Sequence, residues 1–243
     1  MFYLLLILTL CLPSAVLAQT AVLGQSANPL DAVLYDYRAQ VQFQEEFIGG
    51  NSSSTTIGTH NWSTSGGTNS IPAPEASHPG IIRRDTSSSS GTATYLFLGT
   101  ATRNFLASES FSMTWVFRLN QTDANTKVRV GAMNSVADPS TSGVYIEKLD
   151  ADTNWFCVTR SASTETPRTD SGVATGTGWV RLEIKKTSAG VSWIINGSPV
   201  CGVVATNVPT AAQIPIAFII NSAVASKTMD IDYFGFKITG ISR

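Results

Sequence analysis

The sequence is poor in charged side chains. Only 14% of its 243 residues are Asp, Glu, Lys or Arg, whereas an average soluble domain has about 25%. The 16 basic side chains nearly balance the 17 acidic ones. This composition excludes a nucleic-acid binder that works through a basic surface, and it excludes an acidic solvating tail. Ser and Thr, with 28 residues each, take the place of much of the missing charge.

Histidine and cysteine are also rare. The two histidines, His60 and His78, lie far apart in the sequence, and the three cysteines include no CxxC pair. A zinc site and a His-dependent hydrolase are therefore not expected. No glycine-rich phosphate loop occurs either, and we expect no cofactor.

Long helical patterns are missing after residue 40. Short apolar runs separated by turn residues begin at Val41, and 43% of the residues are hydrophobic, which is enough for a large core. Many short strands at this spacing are typical of a sandwich or a barrel. We therefore predict an all-β fold in which residues 41–243 form one antiparallel two-sheet sandwich.

The first 40 residues differ from the rest. Residues 2–18 are apolar and uncharged, but the run is shorter than the about 20 residues of a membrane span and ends in small residues before Gln19. We predict a cleaved signal peptide at residues 1–18, which implies a secreted or surface-displayed protein. A retained anchor or a buried apolar arm is the alternative. Residues 19–40 are expected to be a connector that contains a short helix, from the apolar spacing at 30, 33, 34 and 37.

The clearest strand pattern lies at residues 179–185, where apolar and charged side chains alternate. One face of this strand should lie in the core and the other in water. The returning strand ends at Asn196-Gly197, the dipeptide most typical of a tight hairpin turn. The residues expected to face the core are Val180, Leu182 and Ile184, and those expected to face water are Arg181, Glu183 and Lys185.

This hairpin resembles the central hairpin of concanavalin A-like (laminin-G-like) jelly rolls. In that family a strand that opens with Gly-Trp, here Gly178-Trp179, is followed by one that ends in an Asp/Asn-Gly turn. The strands at residues 43–47 and 231–234 are similar to the family's first and last strands. The resemblance covers about residues 41–243 and implies a jelly-roll sandwich. The family includes lectins, glycan-binding modules and glycoside hydrolases, so the fold alone does not decide the function.

A narrower resemblance lies at residues 76–81 and 154–156. These segments are similar to sandwich domains encoded by tailed bacteriophages and some bacteria, which implies a surface or virion-associated domain. Legume-type lectins of the larger family hold calcium and manganese through a cluster of Glu, Asp and Asn residues. That cluster cannot be placed in this sequence, so no metal-dependent sugar site is predicted.

Four residues are predicted to contact a glycan. Trp62 lies in a segment rich in Ser and Thr, and Trp155 follows an acidic turn. An exposed indole can stack on the apolar side of a sugar ring, and Asn154 and Arg160 could bind its hydroxyl groups. Packing at the sandwich edge is the alternative explanation for both indoles. The remaining tryptophans, Trp115, Trp179 and Trp193, are expected in the core.

Asp230 and Asp232 are the residues on which a hydrolase would depend. Strand geometry places both carboxyl groups on one face, about 6–7 Å apart, and a retaining glycosidase needs a separation of about 5–5.5 Å. The hydrolases of the resembled family carry a third acid nearby, which is missing here. We therefore favour a solvated outer face on an edge or terminal strand.

Two further features of the sequence leave alternatives open. Residues 150–154 begin like a calcium loop but depart from it at the sixth and twelfth positions, so a polar hairpin turn is expected. Once a signal peptide is removed, Cys157 and Cys201 are the remaining thiols, and they could form a disulfide or lie apart in the core.

The sequence thus predicts a secreted or surface-displayed binding module, with a glycan as the leading ligand. One alternative is a structural or decoration protein of a virion or cell surface that binds another protein. The other is a glycoside hydrolase that uses Asp230 and Asp232. No nucleic-acid partner is expected, and a membrane is a partner only if the N-terminal segment is retained. The oligomeric state does not follow from the sequence.

Overall fold

Two β-sheets enclose an apolar core in a computed structural model of the chain, which describes residues 40–48, 56–98, 105–106 and 109–240. Residues 41–240 cluster as one compact unit. The described residues contain no helix, and hence none that is long and apolar enough to cross a membrane. The predicted all-β sandwich is confirmed, whereas the predicted signal peptide and helix lie outside the described residues.

Eighteen strands occur among the described residues. In chain order they are β1 (Gln40–Glu45), β2 (Thr56–Ile57), β3 (Trp62–Ser65), β4 (Thr68–Ser70), β5 (Ile82–Asp85), β6 (Ala93–Phe97), β7 (Phe105–Leu106), β8 (Ser110–Leu119), β9 (Thr126–Met133), β10 (Gly143–Lys148), β11 (Asn154–Ser161), β12 (Thr164–Glu165), β13 (Thr169–Ala174), β14 (Val180–Thr187), β15 (Gly190–Ile195), β16 (Ser198–Val204), β17 (Ala212–Asn221) and β18 (Thr228–Thr239).

The strands divide into two antiparallel sheets. Sheet A has the order β16-β15-β14-β8-β18-β5-β4, and β1 also pairs with β18. Sheet B has the order β12-β11-β10-β9-β17-β6-β3-β2, with β13 paired to β11 and β7 to β17. Strands that follow one another in the chain alternate between the sheets at several points, as in β8 and β9, which gives the jelly-roll arrangement.

The hairpin predicted at residues 179–197 is confirmed. Strand β14 pairs with β8 on one side and with β15 on the other, so that Leu182 lies opposite Trp115 and Ile195. Val180, Leu182 and Ile184 are buried, whereas Arg181 and Lys185 are exposed. Asn196 and Gly197 both have positive φ, at 50° and 83°, as a tight turn between twisted strands requires.

Alternation along β8 and β18 defines an inner and an outer face of sheet A. The inner face carries aromatic residues such as Trp115, Phe117 and Phe234, and these pack against sheet B. The outer face carries polar residues, with Arg118 opposite Asp230 and Thr114 opposite Gly235. A bulge between Ile231 and Tyr233 interrupts the register and leaves Asp232 without a cross-strand partner on β8.

Candidate functional site

The prediction that Trp62 and Trp155 contact a glycan is wrong, because both side chains are fully buried. Trp62 packs edge-on against Trp115 at 5.6 Å between ring centroids, and Trp155 packs edge-on against Phe117 at 5.6 Å. Each of these pairs joins sheet B to sheet A across the core. The polar segment around Trp62 therefore forms β2 and β3 of sheet B, and the side chain of Trp62 points into the core.

Asn154 and Arg160 do not meet at a common site either. They lie near opposite ends of β11, about 20 Å apart at the rise of an extended strand. Asn154 donates through Nδ2 to both carboxylate oxygens of Asp170 at 3.0 Å, and Arg160 donates through Nη1 to Glu165 at 2.9 Å. Both side chains are thus used to fasten the neighbouring strands β13 and β12.

Two of the three cysteines form a disulfide bond. Cys157 on β11 and Cys201 on β16 form a disulfide with a Cα–Cα distance of 6.3 Å. Because β11 belongs to sheet B and β16 to sheet A, this bond links the edges of the two sheets.

Asp230 is not on a solvated edge, which corrects the expectation for this strand. Strand β18 lies between β8 and β5, and Asp230 is fully buried. Arg83 donates to both of its oxygens, at 2.6 and 2.8 Å, and Arg118 donates to one at 2.9 Å. Burial alone would raise the pKa of Asp230, but the hydrogen bonds from Arg83 and Arg118 outweigh it and lower the pKa. A carboxyl held in its charged form in this way is unsuited to donate a proton.

Asp232 is buried beside Asp230 but has a different partner. It is 5% exposed, and its Oδ2 atom lies 2.8 Å from Nδ1 of His78. Its Oδ1 atom is buried and has no hydrogen-bond partner among the described residues. Asp230 and Asp232 are therefore engaged by different groups, and the pair does not have the free acid and free nucleophile of a glycosidase.

A short turn over the outer face of sheet A carries His78. Reciprocal backbone hydrogen bonds of 3.1 and 2.9 Å between Glu75 and His78 close the turn, and Ser77 has a φ of 68°. Glu75 accepts from Arg118 at 2.6 and 3.0 Å. This hydrogen bond is the main reason that the pKa of Glu75 is lowered. The turn is thus fastened to sheet A by the side chains of its two end residues.

Trp179 was expected in the core but lies on the outer face of sheet A, where it is partly exposed. His78 stacks on its indole, with ring centroids 4.0 Å apart and ring planes at 17°. The guanidinium of Arg118 lies 4.7 Å from the centroid of the indole, at a distance typical of a cation–π contact. Trp179 is the partly exposed tryptophan of the chain, since the other four are fully buried.

A shallow depression of about 180 Å³ lies further along the same outer face. Strands β1, β8 and β18 line it, and its polar lining residues are Gln42, Gln44, Ser112, Thr114, Tyr233 and Lys237. Gln42 and Gln44 are exposed, and Ser112, Thr114 and Tyr233 are half-buried. Within the described part of the chain, the side chains of these five residues make no hydrogen bond.

Tyr233 lies flat against the backbone of Gly235. A Cβ atom at Gly235 would come within 2.5 Å of the Tyr233 hydroxyl and 3.1 Å of its ring, so only glycine permits this position of the ring. Burial raises the pKa of Tyr233, and Glu46 raises it further. The hydroxyl is therefore protonated at neutral pH and can donate a hydrogen bond to a ligand.

Charged residues next to the depression form ion pairs. Glu183 pairs with Arg181 and with Lys185, with N–O distances of 3.2 and 3.3 Å. These three residues occupy alternate positions of β14, beside the β8 residues that line the depression. Glu183 is thus paired on both sides within its own strand.

The outer face of sheet B carries a separate charged cluster. Glu147 is almost fully buried, accepts a hydrogen bond from Arg129 at 2.8 Å and forms an ion pair with Arg168. Arg129 also pairs with Asp138, and Arg168 with Asp152. Each of these carboxylates has an arginine partner, so the cluster stabilises the sheet and its loops without leaving an acid for catalysis.

Nothing in the described residues forms a group of three or more His, Cys, Asp or Glu side chains that could hold a metal ion. In the segment that begins like a calcium loop, Asp152 accepts from the backbone N–H of Leu149 and from Arg168, and Asp150 lies 3.6 Å from Lys127. These contacts are those of a polar turn rather than of a cation site.

The depression and the cluster around Trp179 were both missed by the sequence argument. Each is assembled from strands that are far apart in the chain, such as β1, β8 and β18, so no local spacing connects their residues. Alternation could have placed Tyr233 and Thr114 on an outward face, because their neighbours Phe234 and Trp115 fit the inward face. The alternation would not have predicted the bulge at Asp232.

A family model described as "SO2946-like, C-terminal domain" matches residues 77–232, which is more than half of the chain. The matched range runs from the turn with His78 to Asp232 on β18. No curated protein matches the sequence.

Solved structures show the same fold at low identity. A protein of unknown function from Shewanella oneidensis MR-1, SO2946, superposes with a TM-score of 0.61 at 14% identity, covering 86% of this chain and 91% of that chain. The β-glucanase of Bacillus licheniformis superposes with a TM-score of 0.56 at 12% identity, covering 80% and 97%. Botulinum neurotoxin type C, whose cell entry depends on two ganglioside molecules, gives 0.54 at 15% identity and covers 83% and 48%. The chain therefore has the concanavalin A-like jelly-roll fold.

Proposed function

The chain belongs to the family of SO2946-like C-terminal domains, and from this premise we propose that it is a glycan-binding module whose site is the depression on the outer face of sheet A. Proteins of the same fold include β-glucanases and a toxin that interacts with gangliosides. These proteins support carbohydrate as the ligand class, but their shared fold does not locate a binding site on this chain. The proposal depends on the chemistry of the depression itself.

The observation that carries the proposal is the set of neutral polar groups around Tyr233 whose side chains make no hydrogen bond within the described part of the chain. The phenol ring lies along the sheet surface and offers a flat apolar side, on which the C–H groups of a sugar ring can stack. The amides of Gln42 and Gln44 and the hydroxyls of Ser112 and Thr114 surround it and can both donate and accept hydrogen bonds. Sugar hydroxyl groups require partners of this kind.

The size of the depression sets the scale of the ligand. A cavity of about 180 Å³ corresponds to about six times the volume of a water molecule in the liquid. A depression of this size offers contacts to a small part of a glycan, of the order of one sugar ring. A shallow site of this size is expected to bind weakly, because little ligand surface is buried.

A hydrolytic function has less support, since Asp230 is held in its charged form by Arg83 and Arg118. A decoration protein of a virion or cell surface remains the alternative, and its partner would be another protein. We also propose that the protein is exported. The disulfide between Cys157 and Cys201 supports export, because disulfides persist chiefly in oxidising compartments.

A glycan array followed by titration calorimetry tests the binding proposal. We expect Tyr233→Ala to weaken binding of any ligand found by at least about tenfold, which is about 1.4 kcal/mol, and Gln44→Ala to weaken it less. Ser192→Ala is the matched control, because Ser192 lies on the outer face of sheet A outside the depression. It should leave the affinity unchanged.

Two results would overturn this proposal. One is a purified, folded protein that binds no glycan on the array, which would favour a protein partner instead. The other is a glycan whose affinity is the same for wild-type protein and for Tyr233→Ala, which would place the binding site elsewhere.

A further inference from the structure

The His78 side chain is held on the outer face of sheet A in the way that a small ring ligand would be held. Its imidazole stacks on Trp179, with ring centroids 4.0 Å apart. At its edge, Nδ1 lies 2.8 Å from the Oδ2 atom of Asp232. A flat aromatic surface with a buried acceptor at its margin is a combination with which proteins orient ring-shaped polar ligands.

Asp232 has binding capacity that His78 does not use. The residue is 5% exposed, yet its Oδ1 atom is buried and accepts no hydrogen bond from any residue that the structure describes. A buried carboxylate oxygen without a partner costs free energy, because the solvation it lost is not replaced. Imidazole can satisfy only one oxygen of the carboxylate. A ring with two adjacent hydroxyl groups could satisfy both.

The other charges at this position are already paired. Arg118 bonds to Glu75 and to Asp230, and Arg83 bonds to Asp230. Glu75 also lies 3.4 Å from the indole nitrogen of Trp179. Within the described part of the chain, Asp232 is the one of these three carboxylates with a buried oxygen that has no hydrogen-bond partner. Arg83 and Arg118 balance the charges of Glu75 and Asp230. A ligand at this position therefore has to donate hydrogen bonds to the remaining carboxylate, that of Asp232.

The turn that carries His78 is not part of either sheet. Its backbone hydrogen bonds join Glu75 to His78 in an isolated bridge, outside the named strands. Its contacts with the outer face of sheet A are made by the Glu75 and His78 side chains, to Arg118, Asp232 and Trp179. Displacement would uncover Trp179 and Asp232 together.

We propose that Trp179 and Asp232 form a second binding site, for a neutral pyranose ring with two adjacent hydroxyl groups, and that His78 fills this site in the free protein. The ligand ring replaces the imidazole on the indole, and its hydroxyl groups donate to Oδ1 and Oδ2 of Asp232. His78 competes with the ligand, so the observed affinity falls in proportion to the fraction of molecules with the turn displaced. The site is separate from the depression around Tyr233 and does not depend on binding there.

Intrinsic fluorescence can follow this site selectively. The chain has five tryptophans, and Trp62, Trp115, Trp155 and Trp193 are fully buried. Iodide in solution should therefore quench chiefly Trp179. A ring that stacks on Trp179 protects it, and the loss of quenching reports binding.

The central experiment titrates wild-type protein and His78→Ala with a panel of methyl hexopyranosides and with imidazole. We expect His78→Ala to bind a pyranoside with adjacent hydroxyl groups at least about tenfold more tightly than wild-type protein, because its site is vacant. Imidazole should also protect Trp179 in His78→Ala, as a replacement for the missing side chain. His60→Ala, which removes the other histidine, should behave as the wild type does.

Second substitutions in the His78→Ala protein identify the site. Adding Asp232→Asn should abolish the gain, whereas adding Tyr233→Ala should leave it intact because Tyr233 belongs to the depression. Glu75→Gln, with His78 in place, should give a smaller gain because it weakens the attachment of the turn to Arg118. This variant tests the proposal if His78→Ala does not fold.

The proposal is wrong if neither folded His78→Ala nor Glu75→Gln binds a pyranoside more tightly than wild-type protein. It is also wrong if imidazole protects Trp179 but no pyranoside does, or if adding Asp232→Asn leaves the affinity unchanged. Loss of the gain on adding Tyr233→Ala would assign the binding to the depression instead.

Discussion

The inner and outer faces of sheet A are built from alternate residues of the same strands. On β8 and β14, Trp115 and Leu182 point inward and are fully buried, whereas Thr114 and Arg181 point outward. The inner face gains its free energy from removal of apolar surface from water, at about 25 cal/mol per Å². The outer face contributes little in this way, and its side chains are available for contacts with a ligand.

Within the outer face, two kinds of polar group occur side by side. Asp230, Arg83 and Arg118 satisfy one another, so their contribution is to stability. The side chains of Gln42, Gln44, Ser112, Thr114 and Tyr233 in the depression make no hydrogen bond within the described part of the chain. The comparison teaches that polarity on a sheet face does not by itself indicate a site. Polar groups that no other side chain engages, beside an aromatic ring, are the more informative signal.

Truncation of an inner-face residue should have the largest effect on stability. Leu182→Ala should lower the free energy of unfolding by about 2–5 kcal/mol, because it leaves a cavity beside Trp115. Glu183→Gln, the adjacent outward residue, should change it by less than about 0.5 kcal/mol, as for exposed ion pairs in general. Denaturant unfolding of the two variants gives both values. A larger loss of unfolding free energy for Glu183→Gln than for Leu182→Ala would show that the inner and outer faces have been assigned the wrong way round.

Removal of the Asp230 carboxylate should have an intermediate effect. Asp230→Asn leaves Arg83 and Arg118 without their shared acceptor, and it should cost about 1.5–3 kcal/mol at neutral pH, the range for hydrogen bonds to charged groups. Thr114→Ala, on the same outer face but without a side-chain hydrogen bond among the described residues, is the control. Equal losses for the two variants would show that the paired cluster has no special role in stability.

The effect of Asp230→Asn should depend on pH. Because the folded-state pKa of Asp230 is lowered, its stabilisation is present above the ordinary aspartate range, about 3.9, and is lost as pH falls below it. The difference in unfolding free energy between wild type and Asp230→Asn should therefore shrink from about pH 5 toward about pH 2. A difference that stays constant over this range would contradict the lowered pKa.

Substitution in the depression should have the smallest effect on stability. Gln44→Ala and Thr114→Ala should each change the free energy of unfolding by less than about 0.5 kcal/mol, because neither side chain has a partner to lose. Thermal unfolding of both variants checks this expectation. A loss of more than about 1 kcal/mol would show that these groups serve the fold.

The sandwich itself followed from local patterns. Alternation at residues 179–185 and the Asn196-Gly197 turn are consequences of strand geometry and of backbone conformation, and both are properties of adjacent residues. The segments at residues 43–47 and 231–234, expected to be the first and last strands, overlap β1 and β18. Short strands at the sheet edges, such as β12 and β13, were missed because two to six polar residues carry no clear pattern.

The site did not follow from local patterns. Trp62 was expected to contact a ligand because its neighbours are polar, but a single inward residue on a short strand is enough to anchor that strand in the core. Asp230 was expected in water because its partners Arg83 and Arg118 are more than 100 positions away in the sequence. Long-range pairing of this kind is decided by the strand order, which one sequence does not reveal.

The most direct test of the account is NMR mapping of a bound glycan on the isotopically labelled protein. A ligand found on the array should shift the resonances of the outer face of sheet A, at Gln44, Thr114, Tyr233 and Gly235, and leave those around Trp62 and Trp155 unchanged. Shifts confined to the outer face of sheet B, around Arg129 and Glu147, with none at Tyr233, would contradict the account.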